Sequence, residues 1–351
     1  MKGQKFLALV ALVLIGISIV GTKNAKSPEN ENIANEAVAT EAPVRTLAVT
    51  AVGDCTFATD ANASRELGFV GYAQKYGTDW FFDNVRGIFG EDDLTIVNFE
   101  GTLSDRGQRE IKQFAFRGDP EYVKALSGSS VEAANLANNH SMDYGEVSLE
   151  DTKKYLDDAG ILHCRGKDDV TITEINGIKV GLVGINYLND VMRTELEDAI
   201  KKAEDNGAEI IILSIHWGIE KATAPTDEQI EVAHKAVDLG ADLVIGTHPH
   251  VLEGFEKYKG RYICYSLGNF SFGGNNAPSD MDTAIFRQTF TIKDNKLQDD
   301  DNIEIIPCRI SSADGYNNYQ PTPATGAKRE RIIERLTSYT DALGELELKF
   351  R

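Results

Sequence analysis

A chain of 351 residues that is 42% apolar and 26% charged has the composition of a globular protein with a sizeable core. Its net charge of −19 excludes a protein that holds nucleic acid through a general basic surface, because the long-range field repels phosphate. Any anionic ligand must therefore be held by local cations.

At the start of the chain, Lys2 and Lys5 flank an uncharged run from Phe6 to Gly21. At ~1.5 Å per residue this run covers roughly 24 Å, against about 30 Å for a hydrocarbon core, so residues 1–22 read as a signal peptide or a short signal anchor. Beyond the run no good small-x-small cleavage site precedes Lys23, and no cysteine directly follows the run for lipid attachment, which favours an uncleaved anchor. The positive flank keeps that end in the cytoplasm and places the rest of the chain outside. Residues 23–45, rich in Asn, Glu, Ala and Lys, read as a flexible linker.

Residues 46–311 alternate apolar runs with polar, helix-like stretches. Strands are expected at 47–52, 94–97, 131–136, 180–185, 209–215 and 242–245 from their length and β-branched content. Helices are expected at 119–127, 147–159, 194–206 and 226–239, the last opened by Thr226 and Gln229 in capping-box spacing and closed by Gly240. Hairpins are expected at Asn176-Gly177 and at Lys259-Gly260, and another between the runs 283–292 and 303–310. Hairpins mixed with βαβ units predict a mixed α/β fold, a two-sheet β sandwich flanked by helices. Residues 312–351 form a C-terminal extension with one charged amphipathic helix at 328–343.

The polar residues just past these strands carry the chemistry. In chain order they are Gly53-Asp54, Asn98-Phe99-Glu100-Gly101, Asn138-Asn139-His140 with Asp143, His216-Trp217-Gly218, and Thr247-His248-Pro249-His250. The carboxyl edge of an α/β sheet is where sites form. Each motif also has an ordinary reading. A Gly-Asp pair closes turns, Asn-His and His-Trp satisfy loop hydrogen bonds, and only His248-Pro249-His250, with its backbone fixed by proline, stands out alone. Together they use four of the six histidines, leaving His163 and His234. An oxygen-and-imidazole set suits Zn²⁺, Mn²⁺ or Fe²⁺ at a hydrolytic centre with one or two ions. The four cysteines, Cys55, Cys164, Cys264 and Cys308, lack zinc-knuckle spacing, and Cys264 reads as a buried thiol.

These motifs, with Tyr265-Ser266-Leu267-Gly268-Asn269-Phe270, resemble the CapA (PgsA-like) proteins of bacterial poly-γ-glutamate capsule synthesis over residues 47–275. Those proteins are similar to the calcineurin-like metallophosphoesterases. The resemblance implies a membrane-anchored protein of capsule synthesis or export with a hydrolase-like metal site. Poly-γ-glutamate or another anionic polymer and membrane-embedded capsule proteins are the partners it implies. It also implies ligand roles: Asp54, Glu100 and His250 for a first metal, and Glu100, Asn139, His216 and His248 for a second. His140 takes the part of the general acid. Thr56 stands where the pattern places a histidine, so the first site is one ligand short. That departure leaves open a polymer-binding or scaffold subunit without catalysis. Glu220 is a candidate partner for an imidazole, Arg117 a candidate grip for phosphate or carboxylate, and Asn269 a candidate inward-pointing residue beside the site.

Overall fold

The computed structural model describes residues 43–60, 64–299 and 301–351. The expected N-terminal anchor and nearly all of the linker lie outside the described residues. No helix among the described residues is long and apolar enough to cross a membrane.

Two sheets face one another. The nine-stranded sheet is built around Arg45–Thr56, with Leu94–Phe99, Ala133–Asn135 and Leu162–Cys164 added in parallel on one side. On the other side Asp282–Lys293, Ile303–Arg309 and Thr322–Pro323 run antiparallel in turn. The six-stranded sheet places Leu243–Thr247, Ile210–His216 and Ile178–Asn186 in parallel at its centre. Antiparallel hairpin strands, Phe255–Tyr258 and Thr171–Ile175, form its two edges.

Strand alternation explains the layers. Along Ile178–Asn186, Ile178, Val180 and Leu182 point into the core shared with Leu47, Val49, Ala51 and Ile96 of the other sheet. Val183 and Ile185 point the other way, against the apolar faces of helices Leu196–Asp205 and Asp227–Asp238. Because both faces are covered, these strands read as unbroken apolar runs rather than alternating ones. The outer face of the larger sheet is covered by helices Phe69–Tyr76 and Glu146–Asp158 and by a cluster of phenylalanines that includes Phe57, Phe69, Phe81, Phe82 and Phe99.

The hairpins and caps follow their local chemistry. Asn176 and Gly177 both take positive φ, as a two-residue turn matched to strand twist requires, and the Lys259-Gly260 turn does the same. Thr226 and Gln229 form a full capping box. Expected helix 119–127 begins as a 3₁₀ turn, Pro120–Tyr122, before Val123–Ser127, and expected helix 194–206 begins with the 3₁₀ segment Met192–Glu195. After the strand Arg261–Cys264, a new strand begins at Asn269–Phe272, beside the Arg45–Thr56 strand. The C-terminal helix spans Gly326–Asp341 and belongs to the same compact unit as the sandwich. All four cysteines are buried free thiols.

Candidate metal centre

Parallel strands in both sheets end at the same edge, and the residues past those ends meet. Asp54 and Asn98 are aligned in register on adjacent strands, so Asn98 Nδ2 donates to Asp54 Oδ1 at 2.7 Å. The same amide nitrogen lies 3.3 Å from His216 Nδ1, spanning from one sheet to the other. Asn98 Oδ1 accepts from Asn135 at 2.9 Å and from Asn138 at 3.4 Å. Asn98 is thus a buried hub, a role that its place in the Asn98-Phe99-Glu100-Gly101 motif does not reveal.

Asp54, Glu100 and His250 bring their potential ligand atoms within 4.8 Å of one another. Asp54 Oδ2 lies 3.1 Å from His250 Nδ1 and accepts the His248 backbone N–H at 3.3 Å. Both histidines of the His-Pro-His run have positive φ, 99° and 58°, a strained backbone for residues with a Cβ. This turn folds His250 back toward Asp54 and Asn269. Asn269 is paired in register with Asp54, and its Oδ1 lies 2.9 Å from His250 Nδ1.

His216 joins a second set. Its Nε2 is 2.9 Å from Asn139 Oδ1 and 3.3 Å from Glu100 Oε1, and its Nδ1 is 3.1 Å from the Thr247 hydroxyl. In the tautomer that donates Nδ1–H to Thr247, the Nε2 lone pair faces the acceptor oxygens of Asn139 and Glu100, a conflict that a cation relieves. The His248 ring lies 4.8 Å from that of His216 and 5.7 Å from that of His250.

Among the described residues, two buried atoms here have no hydrogen-bond partner, Glu100 Oε1 and His248 Nδ1. Leaving such atoms unsatisfied costs about 1–3 kcal/mol each, and both are metal-ligand types, so these residues fit a bound divalent cation. The electrostatics agree. Burial and the neighbouring Asp54 charge push the Glu100 carboxyl up to about 8. Burial opposes charge on His250, but Glu100 and Asp54 outweigh it and raise that imidazole to about 9. Burial and the His250 charge depress His248 to about 4, and burial holds His216 well below its ordinary value. Asp54 and Glu100 draw positive charge: they raise His250, while His216 and His248 stay neutral with lone pairs available.

The hydroxyl of Thr56, which the family resemblance sets at a ligand position, lies 3.5 Å from Glu100 Oε2. His140 stands at the edge of the centre, with Nδ1 2.8 Å from Asp143 Oδ2 and its ring 4.5 Å from that of Phe116. Burial lowers the basicity of His140, while the bond to Asp143 works against that. Asp143 also accepts the Phe116 N–H at 2.5 Å and forms an ion pair with Lys112, whose ammonium reaches the Asn139 carbonyl at 2.7 Å. Arg117 is placed elsewhere: its guanidinium lies over the Tyr144 ring at 4.1 Å and donates to the Arg106 carbonyl. Lys112 is the cation that reaches the Asn139–His140 turn, and no local pattern distinguished it from Arg106, Arg109 and Arg117. Glu220 lies exposed on the wall of the cavity beside the centre, and Thr247 and Asn98 stand against His216 Nδ1 instead. His163 and His234 pair with Asp157, Asp169 and Glu256 away from the centre.

Residues 48–274 match the family model described as bacterial capsule synthesis protein PGA_cap. The chain is 28% identical to the capsule biosynthesis protein CapA of Bacillus anthracis, covering 95% of this chain and 81% of that one. It is 29% identical to the PGA biosynthesis protein CapA of Bacillus subtilis, over 78% and 75% of the two chains. A probable polyglutamine synthesis accessory protein of Mycobacterium tuberculosis is 26% identical over 62% of this chain and 66% of its own. The matched span runs from the first strand of the sandwich through Asn269 and so includes every member of the candidate centre, and the chain belongs to the bacterial capsule synthesis protein family.

Proposed function

We propose that this chain serves poly-γ-glutamate capsule biosynthesis or export as a membrane-anchored, extracytoplasmic protein with a metal-dependent hydrolytic site. The observation that carries the hydrolytic reading is the convergence of Asp54, Glu100 and His250 with two orphaned ligand atoms, Glu100 Oε1 and His248 Nδ1. The relatives' names support the capsule role, and the apolar run 6–21 supports the anchor.

Asp54, Glu100 and His250 would hold one divalent ion, and Glu100, Asn139, His216 and His248 a second. Such an ion supplies Lewis acidity and a more acidic bound water. The chain's own residues do the rest. Asn98 orients the Asp54 carboxylate, and Asn269 steadies the His250 ring. Asp143, clamped by Lys112 and the Phe116 N–H, orients His140 through Nδ1. That leaves Nε2 of His140 to donate a proton to a departing oxygen or nitrogen.

Metal analysis of the purified full chain, with cleavage assays on poly-γ-glutamate and on phosphodiesters, tests this reading. Asp54→Asn and His250→Gln should each lose bound Zn²⁺, Mn²⁺ or Fe²⁺ and turnover together. His140→Ala should keep its metal and lose turnover by about 100-fold. Bound metal with no turnover on either substrate class would favour a polymer-binding subunit, which Thr56 at a ligand position supports.

A further inference from the structure

A cavity of about 690 Å³ opens beside the candidate centre, within the size range of small-ligand sites. His140, His250 and Asn269 line its inner end, and Phe114, Phe116 and Phe272 give it an aromatic wall. Lys221 is the one lysine or arginine among its described lining residues.

The cations nearby are committed elsewhere. Arg106 is paired with Asp151, Arg109 with Asp60 and Lys112 with Asp143, while Arg117 lies on Tyr144. Of the two carboxylates on the cavity wall, Asp280 is held by Arg335 at 2.6 Å. Lys221 is fixed at its backbone: its N–H donates to the Pro249 carbonyl at 2.8 Å, and its φ is 66°. The loop after His216 is therefore tied to the His-Pro-His turn at Lys221, whose ammonium has no ion-pair partner among the described residues. A ligand matched to these walls carries a single negative charge beside an apolar stem. A phosphate-rich ligand would leave most of its charge facing aromatic rings.

We infer that the cavity binds a stretch of amide-linked acidic chain, with methylene stems against Phe116 and Phe272 and one pendant carboxylate on the Lys221 ammonium. Lys221 then determines which linkage is presented to the centre. This rests on the polymer reading proposed above and names the residue that would read the polymer. In a γ-linked glutamyl unit the methylenes lie in the main chain and the carboxylate hangs from it. In an α-linked unit the carboxylate ends the methylene arm, so one unit cannot place both groups in the same way.

Equilibrium binding of short γ-linked glutamate oligomers to the metal-loaded full chain tests this, with α-linked oligomers of equal charge and inorganic phosphate as the other probes. Lys221→Met should weaken γ-oligomer binding about tenfold, Lys221→Arg should retain most of it, and α-oligomers should bind several-fold more weakly than γ-oligomers. Because Lys221 is exposed, all variants should melt with the parent. Equal binding by Lys221→Met, equal binding of the two linkages, or phosphate displacing the oligomer through Lys221 would each overturn the inference. Lys221-dependent binding without cleavage would uphold it while the hydrolytic reading failed, and cleavage indifferent to Lys221 would do the reverse.

Discussion

Asn98 shows how much of the candidate centre depends on a residue outside the proposed ligand set. Its amide reaches Asp54, Asn135, Asn138 and the His216 ring from a fully buried position. Replacing it with leucine keeps most of the volume but strands the three side chains it hydrogen-bonds, Asp54, Asn135 and Asn138, each bond worth about 1–3 kcal/mol when left unmade. Asn98→Leu should therefore lower unfolding free energy in urea by about 3 kcal/mol or more and reduce metal content. An unchanged midpoint with normal metal would show that the network is incidental. A second buried residue gives the molecule a pH dependence outside the centre. Glu253 accepts from Gln229 at 3.1 Å, its other oxygen has no partner, and burial pushes its carboxyl up to about 7 from 4.5. The folded state then binds the proton more tightly than the unfolded chain. The stabilisation is fully present below about pH 4.5 and is lost as pH rises through about 7. Glu253→Gln should flatten that slope and unfold about 2–3 kcal/mol less readily than the parent at pH 8, as denaturation across a pH series would reveal.

At the scale of elements, the centre depends on how closely the Arg45–Thr56 and Asn269–Phe272 strands approach. Asp54 N–H donates to the Gly268 carbonyl at 2.9 Å, and a Cβ on Gly53 would stand 1.8 Å from that same oxygen. Gly53→Ala must push the two strands apart exactly where Asp54 and Asn269 face each other. It should cost about 1–3 kcal/mol and weaken metal binding more than tenfold. Gly177→Ala, at φ 72° in a distant hairpin, should cost about 1 kcal/mol and leave metal affinity unchanged. Elements whose cause is local were legible in the sequence: the Asn176-Gly177 turn, the Thr226 capping box and the apolar strands ending at Asp54, Asn98, His216 and Thr247. Elements fixed by tertiary contacts were not. Helix Phe69–Tyr76 has no side-chain cap, and its phenylalanine stacks on Phe57 and Phe81 from separate segments. The same holds within the site. Strand-end motifs pointed to Asp54, Glu100, His216 and His250, but Lys112 reaches its partner Asp143 only because the loop after Leu103 returns across the sheet edge.

Across the whole molecule, the C-terminal residues are part of the sandwich rather than an appendage to it. Ala324, Ile332 and Leu336 are buried in the core between the sheets, and Leu346, Leu348 and Phe350 pack against it. Thr322–Pro323 pairs with Ile303–Arg309, and along the same edge Ile305 exchanges backbone hydrogen bonds with Lys349 and Arg351, the opposite edge being taken by Asp282–Lys293. Arg331 and Arg335 close around Asp282, which is only 3% exposed, and Arg335 also holds Asp280 on the cavity wall. A chain ended at residue 311 loses all of these at once. It uncovers a sheet edge and apolar core and leaves Asp282 buried without its cations, a loss of about 3–5 kcal/mol from the charge alone. Against a net stability of about 5–15 kcal/mol for a typical domain, that combination should be decisive. A 43–311 fragment should therefore show no cooperative unfolding transition, whereas 43–351 should melt as one unit. The double variant Arg331→Ala with Arg335→Ala should fold but lose about 3 kcal/mol, because it removes the ion pairs and keeps the apolar contacts. Cooperative unfolding of 43–311 at the midpoint of 43–351 would show instead that the sandwich stands without its last helix.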